Sequence, residues 1–158
     1  MDDTGCRYVA AFDPGKLTGW ALYDRETEEF DSGQTNFDET CNLVFALGQK
    51  HLATLLVVSE SFIITQATAK NSQAPWSLEL IGVMRYASRM YTRRDLVTQA
   101  PATAKRFSSD ERLKQMGWHR PGKGHANDAA RHLLVTLATR GWLDRATLTM
   151  LTTYTQSV

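Results

Sequence analysis

Cysteine is scarce in this chain of 158 residues: there are two, Cys6 and Cys41, without CxxC spacing or clustered partners. That excludes a thiolate metal site and argues for free thiols in a reducing compartment rather than a disulfide framework. No apolar run is long enough to cross a bilayer, so no membrane partner is expected. The start, MDDTGCRYV, carries acidic residues where a signal peptide needs positive charge, and the expectation is a cytosolic protein. There is no GxxxxGK[ST] loop, no zinc-finger spacing and no Gly-x-Ser-x-Gly elbow, which removes the commonest nucleotide, finger and serine-hydrolase readings. Internal repeats, linkers and low-complexity stretches are also missing. With 42% apolar and 22% charged residues, the chain reads as one mixed α/β domain over residues 1–158.

What is present is unevenly distributed. The net charge is only +1, but residues 1–64 hold four basic against eleven acidic side chains. The other fourteen basic residues lie in 65–158 with six acidic ones. A basic second half suits either an anionic partner or ordinary solvated helices. Tyr8–Phe12, Gly19–Tyr23 and Glu28–Thr35 read as strands, the first two joined by a turn containing Pro14 and Gly15. Asp38 is placed to cap a helix running to about His51. The run LLVVS, Leu55–Ser59, suits a strand buried on both faces. Helical periodicity covers Trp76 to about Tyr91, with Leu80, Val83, Met84 and Ala87 on one side. A last strand is expected at Leu96–Thr98, a helical turn from Pro101, a basic loop at Arg120–Gly124 and a helix over His125–Thr139. The tail to Val158 is weakly amphipathic.

Two carboxylates stand where they cost desolvation energy. Asp13 and Glu60 each follow an apolar strand at its C-terminal end, a position that needs a cation or hydrogen-bond donors in compensation. Ligands of α/β sheets gather at such strand ends. Read alone, Asp13 before Pro-Gly also fits an Asx-type turn, and Glu60 fits a cap or a partner for an arginine. The segment GHANDAARHLL adds His125 and Asp128, three apart and therefore on one helical face. Oxygen ligands from several elements suit Mg²⁺ or Mn²⁺ rather than zinc, and two such ions serve phosphodiester hydrolysis. Capping by Asn127 and Asp128, with His125 on the loop surface, is the plainer reading of that segment.

Taken in order, FDPGKLTGWALYD, VVSES, IGVMRY, PATAKRF and GHANDAARHL resemble the RuvC-type Holliday-junction resolvases, members of the ribonuclease-H-like nucleases. The resemblance spans roughly residues 7–140. It implies an α/β, ribonuclease-H-like fold: a five-stranded mixed sheet, the first three strands antiparallel, flanked by helices. It also implies a metal-dependent endonuclease that cuts four-way DNA junctions in pairs of nicks, as a homodimer, with two Mg²⁺ or Mn²⁺ ions per active site. Asp13, Glu60, His125 and Asp128 match the family's catalytic and metal-binding places. His125 stands where many relatives carry a second aspartate, which leaves the metal geometry open. The short length and the early basic loop HRPGKGH suit a phage-encoded member, acting in the bacterial cytoplasm of an infected cell.

The same resemblance assigns DNA contacts. Phe62, two residues after Glu60, matches an aromatic near the strand crossover that wedges or stacks on bases, and it fits an ordinary core position equally. Lys70 lies in a polar segment facing DNA, TAKNS. Lys105 and Arg106 match the basic segment near the scissile strand, and Arg112, Lys114, Arg120 and Lys123 add candidate phosphate contacts. The helix bearing Trp76, Leu80, Val83 and Met84 would pack across the homodimer; packing within its own core gives the same pattern. Broader branched-DNA (flap or fork) or structured-RNA cleavage, and branched-DNA binding without catalysis, are the competing functions. FDPGKLTGWA is also similar to the phosphate loop of actin-like ATPases and sugar kinases. Those need two domains around a nucleotide, more than this chain supplies, so no nucleotide cofactor is expected.

Overall fold

The computed structural model describes residues 3, 5–64 and 74–153. A five-stranded sheet has the order β3-β2-β1-β4-β5. The strands are β1 (Tyr8–Asp13), β2 (Leu17–Asp24), β3 (Phe30–Asn36), β4 (Leu55–Glu60) and β5 (Val97–Gln99). β1, β2 and β3 pair antiparallel, while β4 pairs parallel with both β1 and β5. The helices are α1 (Phe37–His51), α2 (Ala74–Ala87), α3 (Pro101–Phe107), α4 (Asp110–Gln115), α5 (Gly124–Thr139) and α6 (Arg145–Thr153).

The two central strands are apolar throughout because both faces are covered. Val9 and Ala11 of β1, with Leu56 and Val58 of β4, face a core built with Leu133, Leu134 and Leu137 of α5. The alternate residues, Ala10, Phe12, Leu55 and Val57, face Val44 and Leu47 of α1 and Leu80 and Met84 of α2. Each fully buried leucine of α5 contributes about 1.5–3 kcal/mol of transfer free energy. β3 is an edge strand, FDSGQTN, half open to solvent, which explains its polar sequence. Cys6 and Cys41 are free thiols. Among the described residues, no helix is long and apolar enough to cross a membrane.

Several boundaries differ from the sequence reading. Asn36, not Asp38, caps α1: its side chain accepts from the Glu39 backbone N–H at 3.0 Å, and Glu39 Oε2 accepts from the Asn36 N–H at 3.0 Å. That reciprocal pair satisfies two otherwise orphaned donors, whereas Asp38 lies inside the first turn. α2 gives way to one wider π-type turn, Ser88–Thr92, closed by Arg93 at φ +58°. Leu80, Met84 and Ala87 of α2 belong to the chain's own core; the apolar side chains that α2 and this turn expose are Trp76, Leu78, Tyr86 and Met90. α4 was not expected. Ser109 caps it, and Leu113 is fully buried. The tail docks through α6, whose Leu151 is buried in the α5-side core.

Candidate active site

The antiparallel register places Gly19 of β2 directly opposite Asp13, the last residue of β1. A side chain at Gly19 would put its Cβ 1.8 Å from the carbonyl oxygen of His125. Only glycine lets the first turn of α5 lie on β2 this closely. Ala126, Ala129 and Ala130 are fully buried behind it. This contact brings a helix start, more than a hundred residues away in sequence, onto the end of β1. There His125 Nδ1 lies 2.7 Å from Asp13 Oδ2. The turn after β1 is fixed independently: Thr18 Oγ1 donates to the Gly15 carbonyl at 3.1 Å, and Ser77 Oγ of α2 donates to the Pro14 carbonyl at 2.8 Å.

Glu60 ends β4 one strand away, and Asp128 lies one turn along α5 from His125. The charges of both reach Asp13. Burial pushes the Asp13 carboxyl upward, the charges of Glu60 and Asp128 push the same way, and the His125 hydrogen bond opposes them. The His125 imidazole is raised in turn, chiefly by its hydrogen bond to Asp13, with Asp128 and Glu60 adding to the effect. Among the described residues, His125 is the only hydrogen-bond partner of the Asp13 carboxylate. A buried carboxylate with one partner and two like charges nearby is poised for positive charge.

Each of the three acids already meets a donor of the chain. Asp13 has His125. Glu60 Oε2 accepts from Nε2 of His132, at 2.9 Å. Asp128 is held by Arg131, which also binds Asp110 and donates to the Ser108 carbonyl at 2.9 Å. Lys105 Nζ of α3 stands 3.8 Å from Asp128. Among the described residues, no group of three or more His, Cys, Asp or Glu side chains is arranged as a ready metal site. The set is nevertheless chemically suited to a hard divalent cation: three carboxylates from three elements and one imidazole.

The four sequence candidates Asp13, Glu60, His125 and Asp128 therefore gather at one end of the sheet. The basic candidates divide. Lys105 is exposed beside Asp128, and Arg106 is exposed on the same short helix. Arg112 donates to the Phe107 carbonyl, while Lys114 is exposed on α4. Arg120 sits 3.9 Å from Asp31 and 5.6 Å over the Phe30 ring. Its backbone is tied to the Asn127 side chain at 2.8 and 3.0 Å, so the basic loop is pinned to β3 and α5. Lys123 is exposed at the start of α5, and Phe62 is half-buried after β4. Lys70 lies outside the described residues. His132, Gln99 and Arg131 were missed by sequence reasoning. One signal was available for His132: a histidine on the apolar face of a helix, seven residues after His125, needs a buried partner.

No family model matches the chain, and no curated protein matches it. Among solved structures it is similar to T. thermophilus RuvC in complex with a Holliday junction substrate. The TM-score is 0.62 at 15% identity, covering 85% of this chain and 97% of that one. The resemblance read from the motifs thus holds in three dimensions: the chain has the RuvC-type, ribonuclease-H-like fold.

Proposed function

We propose that this chain is a metal-dependent endodeoxyribonuclease that resolves four-way DNA junctions. The observation that carries the reading is the meeting of Asp13, Glu60 and Asp128, with His125, at the sheet end in this fold. The structural neighbour, at low identity, was solved on a Holliday junction, and junction DNA is the substrate that best fits both observations. Asp13, Glu60, Asp128 and His125 would hold Mg²⁺ or Mn²⁺, two ions per site. When bound, such ions supply an activated water and neutralise charge on the scissile phosphate. The chain's own residues do the rest. Asp13 is fixed at the end of β1 by the Pro14 turn, His125 orients its carboxylate, and Lys105 and Arg106 present positive charge at the rim where a phosphate would approach.

Paired cuts in a symmetric junction need two sites related by a two-fold axis. The exposed Tyr86 and Met90, which line a cavity of about 500 Å³ with Gly82, Arg85 and Arg89, support a homodimer through α2. The decisive experiment is cleavage of end-labelled four-way junction, 5′ flap, fork, linear duplex and structured RNA with Mg²⁺, Mn²⁺ or EDTA. Symmetric paired nicks confined to the junction and dependent on metal support resolution. Better cutting of flaps, forks or RNA reassigns the substrate. Tight junction binding without cutting any substrate makes this a binding protein.

Lys105→Ala is expected to weaken junction binding at every sequence and to lower the slope of log K against log salt by about one unit. Fluorescence anisotropy across a salt series reads it. A slope identical to wild type removes Lys105 from the phosphate contacts.

A further inference from the structure

His132 has 0% exposure and sits in the middle of α5, where its neighbours Leu133 and Leu134 are core leucines. A fully buried imidazole must find partners for both nitrogens, and it does. Nε2 meets Glu60 Oε2 at 2.9 Å and Nδ1 meets Gln99 Oε1 at 2.9 Å, so both ring nitrogens face acceptor oxygens. Gln99 Nε2 donates to Thr136 Oγ1 at 2.7 Å, and Thr136 Oγ1 donates to the His132 carbonyl at 2.9 Å. The last contact closes a ring of side chains around the imidazole. The sheet register adds a further tie. Gln99 is the in-register neighbour of Glu60, and its carbonyl accepts from the Ser61 N–H at 2.8 Å.

Glu60 needs such a device. It is the last residue of β4, half-buried, and irregular chain follows it. A glutamate there has three rotatable bonds, and its carboxylate needs a polar partner to select one orientation. Among the described residues, its carboxylate makes no hydrogen bond other than that to His132. One oxygen is held and the other is left for a ligand. Groups that hold ligating carboxylates in this way set their direction and their affinity for a cation.

Resting on the nuclease reading above, we propose that His132, braced by Gln99 and Thr136, is a positioning residue that fixes the Glu60 carboxylate for the active site. It touches no substrate and acts through Glu60.

The test compares His132→Leu, which removes the donor at similar volume, with His132→Gln, whose amide nitrogen takes the place of Nε2. Three quantities are read on the full chain: Mn²⁺ affinity by calorimetry without DNA, single-turnover cleavage at saturating junction, and junction Kd in EDTA. His132→Leu is expected to weaken Mn²⁺ binding by roughly 10–100-fold and to slow cleavage comparably. Junction Kd stays at the wild-type value, and His132→Gln recovers most of both losses. A folded His132→Leu with wild-type Mn²⁺ affinity and cleavage overturns the proposal, and so does a His132→Gln no better than His132→Leu. If His132→Leu does not fold, Gln99→Leu carries the test, since it removes only the brace; losses in the same direction support the role, and wild-type values overturn it. Glu60→Gln separates the two levels of inference. If it cleaves at the wild-type rate, the nuclease site itself is misassigned. If it is inactive while His132→Leu is unaffected, only the positioning role falls.

Discussion

Asp13→Asn is expected to give a folded protein that binds a four-way junction and no longer cuts it. The substitution keeps the volume and an oxygen that can accept from His125, so β1 and the first turn of α5 stay in place. What goes is the charge. Asp13 is the most buried of the three acids and the one on which the other two act, so its loss should exceed the cost of disturbing a group behind a ligand. Single-turnover cleavage should fall by more than ~100-fold, with junction Kd in EDTA unchanged. Stability should move the other way. Burial raises the folded-state pKa of Asp13, so the folded protein holds that proton more tightly than the unfolded chain. Ionisation therefore takes stability away as pH rises through the carboxylate range. Without added metal, the asparagine variant should melt above wild type at neutral pH, and the gap should close as pH falls below that range. Wild-type cleavage by this variant would remove Asp13 from the site.

Gly19→Ala should damage fold and activity together. The added Cβ would stand 1.8 Å from the His125 oxygen, 2.1 Å from its carbonyl carbon and 2.7 Å from the Ala126 nitrogen. All three are backbone atoms, so no rotamer change relieves the overlap and the helix start must lift off β2. Overpacking against backbone costs about 3 kcal/mol, which lowers Tm by roughly 6–12 °C in a chain of this size. The same movement carries His125 away from Asp13, and a displacement of ~1 Å in a reacting constellation costs about 100-fold in rate. Gly82→Ala is the control. A Cβ at Gly82, within α2, meets nothing within 4 Å, and alanine there should gain about 0.5–1 kcal/mol. An unchanged Tm for Gly19→Ala, measured by differential scanning fluorimetry beside Gly82→Ala, would contradict the close approach.

The sequence made the centre of this molecule legible because central parallel strands and a buried helix leave strong patterns. YVAAF reads as a strand and LLVVS as one covered on both faces, and the leucines of α5 recur at helical spacing. The edges were harder. β3 is polar because solvent covers half of it, so its limits shifted by a residue or two. α4 is too short to show a period, and only Ser109 and Leu113 mark it. Asp13, Glu60, His125 and Asp128 stood out because carboxylates at strand ends conflict with local burial, and the ordered motifs tied them to one proposed site. Partners of those acids did not. Glu60 and His132 are 72 positions apart, and Asp13 and His125 are 112 apart. No local pattern records which histidine meets which carboxylate. Arg131, three residues after Asp128, is within reach of a helical-spacing argument, and the sequence reading did not single it out.

That long separation governs how the protein comes into being. During synthesis the β1–β2–β3 meander emerges before the rest of this sheet and can close through local pairings. Asp13 is then in place with neither His125 nor Asp128 yet made. β4 supplies Glu60, but α5, made more than sixty residues later, supplies both remaining groups and the imidazole that steadies Glu60. A nascent or truncated chain ending before α5 has a partial sheet and no complete acidic site. On the proposed reading, cleavage would arrive only with the segment that also closes the hydrophobic core, so an unfinished chain would cut nothing.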